Sequence, residues 1–204
     1  MSDTLLKAIE DHNMNRLSSL LSHGADANEL QIQQYGWRPL HLAIDELEDG
    51  GSIQALILLL RYGASVNAWT AKHGATPLLM ALFRGQAEAA RILLAAGADP
   101  NVVGDEGDSP LCVCVEQNDQ EMAALLLRCG ADKTINQSGA GPMGMNALGF
   151  AAHRLNLPMI KMLLAAGADP ALVVDYRTAQ QCLPPRDTAD PQAWDEAMAL
   201  LGML

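Results

Sequence analysis

The sequence predicts an all-α fold, a solenoid of stacked helix-turn-helix units, and three observations carry that prediction. The pattern LLxxGA occurs five times, with its glycines at Gly24, Gly63, Gly97, Gly130 and Gly167, spaced by 39, 34, 33 and 37 residues. A period of this length marks structural units that bury their faces on one another. Upstream of each glycine, apolar residues fall at helical spacing, as in Ala89, Ile92, Leu93 and in Met159, Met162, Leu163. Finally, 50% of the 204 residues are hydrophobic but only 4% are aromatic, so the core is built from Leu, Ala, Val, Ile and Met. These side chains suit close helix-on-helix packing.

Each repeat is legible as a short series of elements. About twenty residues before the glycine comes a helix start, clearest in ATPLLMA at residues 75–81. There Thr76 can cap the helix through its hydroxyl, and Pro77 occupies the first helical position, where a missing N–H costs nothing. RPLHLA from Arg38, SPLCVC from Ser109 and NALGFA from Asn146 are the equivalents. A second, longer helix follows and ends at the Leu-Leu pair, where Gly97 and its counterparts permit the left-handed exit that a Cβ would hinder. The octapeptide LLAAGADP, present at both 93–100 and 163–170, is this exit repeated.

In TPLLMA, RPLHLA and LLAAGADPN the chain resembles the ankyrin repeat, whose pattern is TPLHxA followed by a second helix and LLxxGADVN. The resemblance spans nearly the whole chain. It implies antiparallel helix pairs stacked side by side, with β-hairpin-like fingers along one edge. Its register divides a single domain, 1–204, into a degenerate N-terminal cap repeat at 1–30, repeats at 31–67, 68–101, 102–135 and 136–170, and a C-terminal cap repeat at 171–204. The departures are local. ELEDGGS (46–52) lengthens the turn between the helices of repeat two, NQSGAGPMGM (136–145) enlarges the fifth finger, and Pro184, Pro185 and Pro191 interrupt the sixth repeat. Insertions in solenoids map to surface loops.

Bulk properties narrow the function classes. A formal net charge of -11, from 13 Lys+Arg against 24 Asp+Glu, argues against nucleic acid or an anionic membrane as partner and is compatible with a cationic protein. The N-terminus MSDTLLKAIEDHN lacks the basic and apolar regions of a secretory signal, and no apolar stretch is long enough to span a bilayer. The 4 cysteines show neither metal-ligand spacing nor a disulfide framework, which fits a reducing, cytoplasmic setting.

The candidates for chemistry have simpler readings. His41 stands in the RPLH signature, where the resemblance implies a structural hydrogen bond, and His12 and His23 have no second ligand at metal spacing. Cys112 and Cys114, two apart on a helix, face different directions and read as core. GAGPMG (139–144) lacks the Lys-Ser/Thr of a phosphate loop. Asp45, Glu46, Glu48 and Asp49 lack the ligand order of a calcium loop. No catalytic residue, cofactor or metal is expected.

Binding through finger tips and the inner-helix groove is what the resemblance implies. Register places Glu10 and Asp11, Asp45 and Glu46, Phe83 and Arg84, Glu116 and Gln117, and His153 and Arg154 at the groove, acidic at one end and basic at the other. The fingers carry Tyr35, Trp37, Trp69, Met143, Met145 and Tyr176, large side chains of the kind that anchor interfaces. Trp37 either serves so or packs on the neighbouring finger. With no other domain read in the chain, binding is expected to be the function: a non-enzymatic module, monomeric on its own, holding a partner protein with a basic face, as an inhibitor or immunity protein neutralising a toxin would. The alternative is a small-anion-binding or enzymatic protein using His153, Arg154 and the glycine-rich finger.

Overall fold

A helix of two turns persists in water only if its orphan N–H groups find acceptors and its apolar face is buried, and this chain supplies both repeatedly. The computed structural model describes residues 4–30, 36–71, 74–138 and 144–202. Two compact units comprise Met1–Asp99 and Pro100–Leu204. The first holds α1 (Leu5–Glu10), α2 (Met14–Ser22), α3 (Pro39–Asp45), α4 (Ile53–Arg61), α5 (Pro77–Phe83) and α6 (Ala87–Ala95). Within it α1, α3 and α5 stack as an inner row, and α2, α4 and α6 as an outer row. The second holds α7 (Pro110–Glu116), α8 (Gln120–Arg128), α9 (Ala147–His153), α10 (Leu157–Ala165), 3₁₀ turns at Ala179–Cys182 and Arg186–Thr188, and α11 (Pro191–Leu201). There α7 packs on α9 and α9 on the first 3₁₀ turn, while α10 packs on α11. Among the described residues there are only helices and two isolated β-bridges, so the all-α repeat architecture holds.

The inner helices start as their sequences dictate. The side chains of Thr4, Thr76, Ser109 and Asn146 accept the N–H three residues on, and the last three are buried. Inner helices are buried almost all round, outer helices along one stripe. The Leu-Leu pair therefore contains two environments. Leu59, Leu93, Leu126 and Leu163 are wholly buried, whereas Leu60, Leu94, Leu127 and Leu164 are partly exposed. Truncating a buried member to Ala costs about 2–5 kcal/mol. In the first repeat the order reverses, and Leu21 is the buried one.

An asparagine four residues after the exit glycine ties each of the first three repeats to the next. Asn28 donates to the Gly63 carbonyl (2.8 Å) and accepts from the Ser65 N–H (2.7 Å). Asn67 does the same with Gly97 (3.2 Å) and Asp99 (2.8 Å), and Asn101 with Gly130 (2.7 Å) and Lys133 (3.1 Å). The fourth repeat has Thr134 at this position, and its hydroxyl is buried without a hydrogen-bond partner. Asn136, two residues later, accepts from Asp169 N–H instead (2.9 Å).

The sixth repeat departs from the expected pair of helices. Its first helix shrinks to the 3₁₀ turn Ala179–Cys182, because the prolines at 184 and 185 push the preceding backbone into extended conformation, as Leu183 shows with ψ 144. The proline-rich segment is tied to α11: Arg186 bonds both carboxylate oxygens of Asp195 (3.1 and 2.8 Å), its guanidinium lies 5.7 Å from the Trp194 ring centroid, and Trp194 donates to the Pro184 carbonyl (2.9 Å).

Candidate protein-binding surface

The fingers are formed by backbone pairing within a repeat. Two of them close through the bridges Ser138 to Asn146 and Val174 to Arg177. The latter finger is a two-residue hairpin. Val174 N–H donates to Arg177 (2.8 Å) and Arg177 N–H to Val174 (3.0 Å), and Asp175 and Tyr176 between them both have positive φ, 48° and 65°, as a type I′ turn requires. Such a turn ordinarily takes Asn and Gly. Here it holds up a tyrosine that is 94% exposed.

Trp69, 42% exposed, lies in the finger segment before α5, and Phe83, 48% exposed, is the last residue of α5. Trp37 is half-buried. Tyr35 and Met143 lie outside the described residues, as does most of the glycine-rich finger. Met145 corrects the sequence reading: it is buried, 3% exposed, and its side chain presents nothing to a partner. The cause is Gly149, where an added Cβ would come within 3.2 Å of the Met145 Cβ. The missing side chain makes room for the methionine to fold inward. Val173, 62% exposed beside the Tyr176 turn, is an exposed apolar side chain that the repeat pattern did not signal.

The charged residues at the ends of the inner helices are largely committed to internal pairs. Arg84 pairs with Asp45 and with Glu48 (2.6 Å), and Glu46 pairs with His12 (2.8 Å). The ELEDGGS insertion is thus a strut between repeats one and three rather than a free acidic patch. Partial burial holds the Asp45 carboxyl above its ordinary value, with Arg84 opposing and Glu46, Glu48 and Asp49 adding to the rise. In the second unit His153 is exposed, and Arg154 donates to the Glu116 carbonyl (2.6 Å).

The groups that could suggest chemistry are withdrawn into the core. His41 is fully buried. Its Nδ1 accepts the Arg38 N–H (3.3 Å), so Nε2 carries the proton and donates to the Ala68 carbonyl (3.1 Å). Desolvation, with the Arg38 charge adding, lowers its pKa to about 4. Cys112 occupies the same helical position two repeats on and reaches the Met145 carbonyl (3.9 Å). Burial pushes its thiol up to about 12 and that of Cys114 still higher, whereas a reactive thiol needs the opposite shift. Among the described residues no three His, Cys, Asp or Glu gather to hold a metal, and no helix is long and apolar enough to cross a membrane.

Paired helices repeated at a near-constant interval, tied by asparagines and edged with exposed aromatic tips, define a repeat scaffold of the kind that recognises other macromolecules over an extended surface. The chain belongs to the ankyrin-repeat family: the family model, described as ankyrin repeats (3 copies), matches residues 48–137 and 96–173. It is 44% identical over 96 residues to the ankyrin repeat protein YahD of Escherichia coli (strain K12), covering 46% of each chain. It is 37% identical over 78 residues to the 2-5A-dependent ribonuclease of Mus musculus, covering 38% of this chain and 10% of that protein. Over 91 residues it is 40% identical to the nuclear factor NF-kappa-B p105 subunit of Gallus gallus, covering 45% of this chain and 9% of that protein. The chain thus spans less than half the length of these relatives. Ankyrin repeats are general protein-protein interaction modules.

Proposed function

We propose that this chain is a non-enzymatic, cytoplasmic binding module that holds one partner protein against its fingers and inner-helix ends, and that it acts by occluding a basic surface of that partner, as an inhibitor or immunity protein does. The observation that carries this reading is the exposure of Trp69, Phe83 and Tyr176 on a scaffold whose Cys112 and Cys114 thiols and whose His41 are buried. Aromatic side chains of this kind supply interface area at small entropic cost. The net charge of -11 favours a basic partner and speeds its approach. Because Asp45, Glu46 and Glu48 are paired within the protein, that steering comes from the overall field rather than from a dedicated acidic patch.

Co-purification from the native cell at physiological salt tests this. A stoichiometric basic partner is expected, held about tenfold or more weakly by the Trp69→Ala and Tyr176→Ala chains. Absence of any stoichiometric partner, or a partner indifferent to both substitutions, would refute the proposal.

A further inference from the structure

The turn between the two helices of the fifth repeat carries a residue its backbone does not favour. Two positions before the outer helix, the chain takes a left-handed conformation in repeat after repeat. Gly85 (φ 65°) and Asn118 (φ 61°) occupy that position in repeats three and four, as their residue types permit, but Leu155 (φ 52°) occupies it in repeat five. A branched aliphatic residue there is an outlier that the fold alone does not require, and such outliers point toward function.

Leu155 lies in an open notch of about 580 Å³ whose wall continues through Leu157 and Pro158 on one side and Asn118, Asn156 and Arg154 on the other. The polar side offers donors. Arg154 spends one guanidinium nitrogen on the neutral Glu116 carbonyl and, among the described residues, has no carboxylate partner. Asn118 uses its oxygen to accept from Asn156 (2.7 Å), which leaves its amide N–H groups available. Asn156 Oδ1 is already taken by the Met159 N–H (3.0 Å). A complementary ligand must therefore bring acceptors and aliphatic surface. The notch is too open to enclose a small molecule, which sites normally bury by more than about 70%.

We propose that this notch docks a partner-protein segment in which a single Glu or Asp is flanked by aliphatic residues. The carboxylate meets Arg154, a backbone carbonyl meets the Asn118 amide, and an aliphatic side chain covers Leu155, Leu157 and Pro158. A polyacidic tract is disfavoured by the net charge of -11. The proposal rests on the protein-binding reading and specifies one of its contacts, at the inter-helix turns rather than at the fingers.

The test is titration of the isotope-labelled full chain with the capped peptide acetyl-Ala-Leu-Glu-Leu-Ala-amide and with its Glu→Gln counterpart, followed by NMR. Shifts confined to Asn118 and residues 154–158, at least fivefold weaker for the Gln peptide, are expected. The Leu155→Asn chain should bind the peptide more weakly yet unfold at a higher temperature, since asparagine suits the left-handed backbone. A leucine kept only for packing would not combine those two effects. Equal binding of the two peptides, shifts at other residues, or undiminished binding by Leu155→Asn would overturn the proposal. A native partner that depends on Trp69 and Tyr176 but not on Leu155 would remove the notch and leave the wider function intact.

Discussion

Acid should destabilise this protein through His41. The imidazole is buried and neutral, with Nδ1 accepting from Arg38 and Nε2 donating to Ala68. Protonation would place a second N–H against a backbone N–H in a fully buried site. The folded pKa is about 4 against an ordinary value of 6.5, so between those values the unfolded chain holds the extra proton. Stability is therefore complete above pH 6.5, falls as the pH drops below it, and levels off near pH 4. At about 1.36 kcal/mol per pKa unit, the loss approaches ~3 kcal/mol. The control is His41→Leu, since Leu79 fills the same position in repeat three and is fully buried. It forfeits about 1–3 kcal/mol at neutral pH by leaving the Ala68 carbonyl unpaired but removes the titration. Urea unfolding of both chains from pH 7.5 to 4.5, read by the fluorescence of Trp37 and Trp69 in the unit that holds His41, should show the wild-type advantage shrinking as the pH falls. A difference between the two chains that stays constant over that range would refute the argument.

Two further predictions concern the asparagine ties. Thr134→Val removes the buried, unpartnered hydroxyl and keeps the shape, so it should be neutral or stabilising by up to about 1 kcal/mol in thermal unfolding. Asn101→Ala breaks the bonds to Gly130 and Lys133 and should cost about 1–3 kcal/mol, with faster amide exchange at Lys133.

The repeat, its helices and their caps were readable because they depend on local chemistry: a hydroxyl before Pro77, a glycine where φ must be positive, leucines at helical spacing. The surface was less so. Trp69, Phe83 and Tyr176 are exposed as the register suggests, but Met145 reads like any finger residue until Gly149 is seen to make room for it. Leu155 has no signal of its own in the sequence, where it is one more leucine between two helices. It stands out only when its φ is set beside those of Gly85 and Asn118.

By itself the sequence determined the family, the repeat interval and the places where repeats differ, since each follows from residue types at fixed spacing along one chain. Only the tertiary structure decided which charges remain available. Asp45, Glu46 and Glu48 are the most acidic stretch of the sequence, yet Arg84 and His12, about forty residues after Asp45 and more than thirty before Glu46, reach them across neighbouring repeats. Charge is additive along a sequence, but ion pairing depends on distance in space, and that distance is set when the repeats stack.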